Sequence, residues 1–154
     1  MYFPDRIGAL MEIRRVLKPG GRVAIGSFTP PEANRFFSIP IGIIRRRARL
    51  PPPPPGLPGP FSLGLQEVME EALRKASFRD VQTRTIRTPL RLASTAECVR
   101  FERESFGALQ QMLVGLPEPE RKAAWDEVER ELSQFQGQAD FEAPTELIVG
   151  AGRK

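Results

Sequence analysis

Few side chains in this 154-residue sequence could do chemistry unaided. There is no histidine. That excludes imidazole acid–base catalysis, Ser or Cys triads built on an imidazole, and every His-containing metal site. The single cysteine, Cys98, excludes internal disulfides and multi-Cys zinc or iron–sulfur sites. With no imidazole to activate it, Cys98 reads as a small buried hydrophobe on a helix. Glu67, Glu70 and Glu71 fall among apolar helix neighbours and read as a solvated face, as do Glu102 and Glu104. Trp125 reads as the core anchor of its helix.

Two patterns could bind rather than react. Arg45, Arg46, Arg47 and Arg49 follow an apolar run, 36–44, and could meet phosphates or an acidic membrane surface. Arg49, Pro52 and Pro55 fit the basic-x-x-Pro-x-x-Pro pattern that SH3-type grooves accept. No aromatic residue interleaves the arginines and no nucleic-acid motif accompanies them, so neither nucleic acid nor membrane is the expected partner.

These candidates must be positioned by a fold of ordinary composition. Hydrophobic residues are 40% and charged residues 27%, which suits a globular chain rather than a disordered one. The net charge of +4 is uneven. Residues 1–100 carry 17 Lys or Arg against 8 Asp or Glu, and residues 101–154 carry 6 against 11, so the acidic tail can neutralise the basic first part. No leader or spanning segment is visible, and the expected location is cytoplasmic.

Asp5 is placed to cap a helix whose apolar stripe is Ile7, Leu10, Met11 and Leu17, and Pro19-Gly20-Gly21 stops it. The short run 22–28 lacks polar alternation and reads as a strand covered on both faces, as in a parallel sheet. Ten of the 16 prolines then fall within 29–62, with a short helix over 36–47 and polyproline II over 51–55. Val68, Met69, Ala72, Leu73 and Ala76 mark an amphipathic helix, and 81–88 a strand with one exposed face. Ser94 and Glu97 make a capping box before helices over 95–105, 107–114 and 118–135. Residues 146–152 read as a closing strand.

The ordered motifs resemble one family. Phe3-Pro4-Asp5, Leu10, Glu12 and Val16-Leu17-Lys18-Pro19-Gly20-Gly21-Arg22-Val23 resemble the segment after the fourth strand of class I S-adenosyl-L-methionine-dependent methyltransferases. Residues 72–81 resemble that family's next helix and its turn into the sixth strand, where glycine is more usual than Ser77. Residues 147–154 resemble its seventh strand, antiparallel between the fifth and sixth. The resemblance implies an α/β fold: the C-terminal strands of a partial Rossmann-like methyltransferase sheet, the last strand antiparallel, with a helical insertion. It divides the chain into the core half at 1–93, with a Pro-rich excursion at 29–62, a helical insertion or lid at 94–138, and the final antiparallel strand at 139–154.

The family's Gly-rich cofactor loop and acidic strand end belong to its first four strands and have no counterpart here. The resemblance therefore implies the C-terminal portion of a small-molecule methyltransferase, inactive alone. Either the chain is a truncated reading with Met1 internal, or a second chain completes the sheet. By the same carry-over, Tyr2 and Phe3 stand at the rim of the S-adenosyl-L-methionine site. Ligands of open α/β sheets bind beyond the carboxyl ends of the strands. Phe28, Asn34, Phe36 and Phe37 are thereby the candidates for lining a pocket for the small-molecule methyl acceptor. No metal is required and no catalytic residue is identified. The alternative is a non-catalytic binding module using the Pro-rich loop or the arginine cluster.

Overall fold

The computed structural model describes residues 2–54 and 56–154. Met1 and Pro55, on which the internal-methionine and SH3-pattern expectations partly fall, lie outside the described residues. In chain order the elements are α1 (Arg6–Val16), β1 (Arg22–Phe28), α2 (Arg35–Arg47), α3 (Gln66–Lys75), β2 (Arg79–Arg87), β3 (Leu90–Leu92), α4 (Thr95–Ser105), α5 (Gly107–Leu113), α6 (Glu118–Leu132), β4 (Phe141–Ala143) and β5 (Glu146–Arg153). They form two compact units. One comprises Met1–Ala33, Pro54–Thr88 and Glu146–Lys154, the other Asn34–Pro53 and Pro89–Thr145.

The first unit is a three-stranded sheet ordered β1-β5-β2, in which β5 runs antiparallel to both neighbours. The closing strand thus lies between the other two, the order that the resemblance implies, and the fold is mixed α/β with a small antiparallel sheet. Asp5 caps α1 by accepting from the Gly8 N–H at 2.8 Å. Leu10 of α1 and Met69, Ala72 and Leu73 of α3 pack with Phe78 and Ile148 on one face, joined by half-buried Val23, Ile25 and Val81.

Two glycines of β5 let the helical layer approach. A Cβ on Gly150 would stand 2.6 Å from Met69 Cγ, and one on Gly152 2.8 Å from Phe78 Cβ. At the end of α3, Phe78 N–H donates to Leu73 O and Ser77 N–H to Arg74 O, a Schellman closure that puts Ser77 at φ +64°.

The reading of 22–28 as covered on both faces is corrected. Arg22, Ala24 and Gly26 are exposed, because the helices occupy one side only. Small residues on the open side give the run its uniformly apolar look.

The second unit is helical. Ile44 of α2, Cys98 and Val99 of α4, Leu109 and Leu113 of α5, and Trp125, Val128 and Leu132 of α6 are all buried. Pro40 lies inside α2, and Ser94 Oγ caps α4 by accepting from the Glu97 N–H. A two-stranded antiparallel ribbon, β3 with β4, completes the unit. Pro51, Pro52, Pro53 and Pro54 are exposed and have no regular secondary structure.

Candidate functional site

At the carboxyl end of β1, the returning arm of the Pro-rich excursion is tied to the strand. Phe28 N–H donates to Pro60 O at 3.2 Å, and Ser27 Oγ donates to the same oxygen at 3.1 Å. The Phe28 and Phe61 rings lie 6.4 Å apart. Thr29 donates to Glu146 O through both its N–H (3.1 Å) and its Oγ1 (3.2 Å), which fixes this end of β1 against the start of β5. Phe28 therefore stands at the carboxyl end of its strand, where the sequence places it.

The other three pocket candidates belong to the helical unit. Asn34 is buried at the start of α2, and its carbonyl accepts from the Phe37 and Ser38 N–H groups. Phe36 and Phe37 are buried and stacked at 5.8 Å. Phe37 also lies 4.4 Å from Phe106, which meets Phe101 edge-on at 5.6 Å. The four rings form a cluster of which sequence reasoning missed Phe101, inside α4, and Phe106, at the junction of α4 and α5, because the contact with Phe37 of α2 joins segments distant in the chain. Tyr2 and Phe3 are 63% and 61% exposed, so both remain available at a surface.

The titratable groups are corrected in one case. Glu102 does not face solvent: it is fully buried on α4, and neither carboxyl oxygen has a hydrogen-bond partner. Burial pushes its acid up to about 8, so it is largely protonated at neutral pH. One turn earlier, Cys98 is fully buried, and burial together with Glu102 pushes its thiol up to about 12. That thiol is no nucleophile at neutral pH.

Glu70 accepts from Gln66, Arg74 and Thr83, which hold its carboxyl below the usual range, and Glu71 pairs with Lys75. The arginine cluster is partly committed inside its own unit. Arg46 and Arg47 both bind the Glu127 carboxylate, Arg47 at 2.5 Å, and Arg45 Nη1 donates to Pro51 O. Among the described residues no group of three or more His, Cys, Asp or Glu is placed to hold a metal ion. None of the described helices is long and apolar enough to cross a membrane.

Compared with known proteins, the chain matches no protein-family model, and no curated protein matches it.

Proposed function

We propose that this chain is the trailing portion of a small-molecule methyltransferase that uses S-adenosyl-L-methionine. The observation that carries the reading is the strand arrangement. A helix ending in Leu17-Lys18-Pro19-Gly20-Gly21 feeds β1, and β5 lies between β1 and β2, antiparallel to both. The uncovered face of the sheet supports it, since a Rossmann-like sheet carries helices on both faces.

The residues present do not by themselves fit the cofactor. Gly20 and Gly21 precede β1, with Gly20 against the Arg153 guanidinium and Gly21 against Lys18 O. Gly150 and Gly152 are covered by Met69 and Phe78. No glycine of these four offers a backbone cradle at a helix N-terminus, so no methyl-transfer step is assigned to this chain's residues. In this reading a leading portion supplies the cofactor site. Tyr2 and Phe3 reach its rim, Phe28 faces the acceptor, and buried Phe36 and Phe37 anchor the helical unit. The pairing of Arg46 and Arg47 with Glu127 weighs against the alternative in which the arginine cluster binds an anionic surface.

Calorimetry with S-adenosylhomocysteine tests the reading. The 154-residue chain alone is expected not to bind, and a chain extended by the residues encoded ahead of Met1 is expected to bind in the micromolar range. Micromolar binding by the chain alone, or none by the extended chain, defeats it.

A further inference from the structure

The uncovered face of the sheet has a definite chemical pattern. Strand register and alternation place its side chains in rows. Arg22 stands opposite Arg153 in the first row, then come Ala24, Ala151 and Gln82, then Gly26, Val149 and Arg84, then Phe28, Leu147 and Ile86. The face therefore runs from a basic end through a strip of small residues to an apolar end. A Cβ on Gly26 would meet nothing within 4 Å, and Ile86 is 41% exposed.

No carboxylate belongs to these rows. Asp80, in the irregularity beside Gln82, lines a cavity of about 230 Å³ with Arg22, Gln82 and Arg153. One acid against three guanidinium groups leaves the face positive. Like charges directly opposite across a ladder are unfavourable, so Arg22 and Arg153 gain from an acid supplied by something else.

We infer that this face is the seat of an acidic amphipathic helix. Its apolar stripe would lie along Ala24, Gly26, Val149 and Ala151, and its flanking carboxylates would meet Arg22, Arg84 and Arg153. The dimensions agree. Three strands about 4.8 Å apart make a strip that one helix about 10 Å across covers. Small side chains along the strip's centre admit a helix closely. A second copy of this chain docked face to face is disfavoured, because each copy would bring the same three arginines. The inference deepens the proposed function, in which the leading portion contributes this helix, but its test involves no cofactor, so the two fail separately.

The probe is a synthetic amphipathic peptide of about 18 residues, long enough to run the length of the strands. It carries Ala and Leu on one face flanked by Glu; a control replaces every Glu with Lys. Fluorescence anisotropy on the 154-residue chain is expected to show saturable binding of the Glu peptide, with the Lys peptide at least roughly tenfold weaker. Arg22→Glu with Arg153→Glu is expected to reverse that order. Gly26→Trp, which projects into open space, is expected to abolish binding of both. Far-UV circular dichroism shows whether the variants fold, and Arg22→Gln with Arg153→Gln gives a milder pair expected to weaken the Glu peptide. Failure of the Glu peptide to bind overturns the inference, as does equal binding to wild type and all variants. Tighter binding of a single-stranded oligonucleotide than of the Glu peptide, lost in Gly26→Trp, reassigns the face to nucleic acid and overturns it. Self-association abolished by Gly26→Trp reassigns it to a second copy and overturns it likewise.

Discussion

Gly150 and Met69 stand in a relation that admits no side chain between them: a Cβ at position 150 would lie 2.6 Å from Met69 Cγ and 3.0 Å from Leu73 Cδ1. Both neighbours are fully buried and cannot swing into solvent. Gly150→Ala is expected to destabilise the chain by about 1–3 kcal/mol in urea unfolding, the range for overpacking a filled core. Gly26→Ala on the opposite face meets nothing and is expected to be neutral or mildly stabilising. Equal losses from the two variants would contradict the one-sided packing.

Ser77 closes α3 in the left-handed region, at φ +64°, and is exposed. An L-residue there costs roughly 1–2 kcal/mol that glycine does not incur. Ser77→Gly is expected to raise stability by about 1 kcal/mol, offset in part by greater freedom of the unfolded chain. A lower urea midpoint would show that the serine makes a compensating interaction.

Glu102 makes stability depend on pH in a particular direction. Its acid is raised in the fold from 4.5 to about 8. Below pH 4.5 both folded and unfolded chains hold the proton, and nothing is lost. Between 4.5 and about 8 the unfolded chain releases it first, so stability falls as pH rises; above about 8 the loss is complete. Glu102→Gln, which mimics the protonated acid, is expected to flatten this slope and to stabilise the helical unit at pH 8 by a few kcal/mol, on the order of 3. Trp125 lies in the same unit, so its fluorescence during thermal melts from pH 5 to about 9 reads the effect. An unchanged slope in the variant would mean that Glu102 finds water or a cation.

Glu127 carries the opposite sign. The hydrogen bond from Arg47, helped by Arg46, holds its carboxyl below 4.5. Its contribution is present above pH 4.5 and is lost as pH falls through the lowered value. Glu127→Gln is expected to cost about 1 kcal/mol at pH 7, since both arginines are partly solvated, and to blunt the acid limb of the melt. It also frees Arg46 and Arg47, so retention on heparin at low salt is expected to rise. Unchanged retention would show that the cluster does not meet polyanions even when released.

Much of this architecture could be read from residue order. The apolar periods around Leu73 and Val128, the caps at Asp5 and Ser94, and the Gly-rich closing strand each act within a few residues, where propensity and capping dominate. What escaped depends on distant partners. The strands at Leu90–Leu92 and Phe141–Ala143 are three residues each and exist only because they pair. Glu102 looked solvated because helix spacing says nothing of which neighbours close over a side chain. The aromatic candidates were legible as apolar, but whether Phe36 and Phe37 face a ligand or a core depended on Phe106, far along the chain.

The sheet's middle strand is the last of its three to emerge during synthesis, Glu146 lying 59 positions after Arg87, its partner across the β2–β5 pair. Until it arrives, β1 and β2 share no ladder and expose their backbone edges to the crowded exit of the ribosome. The helical unit lies wholly upstream of β5 in the chain and contains no strand of this sheet. The sheet unit must wait for β5, and in that interval chaperones have most to protect.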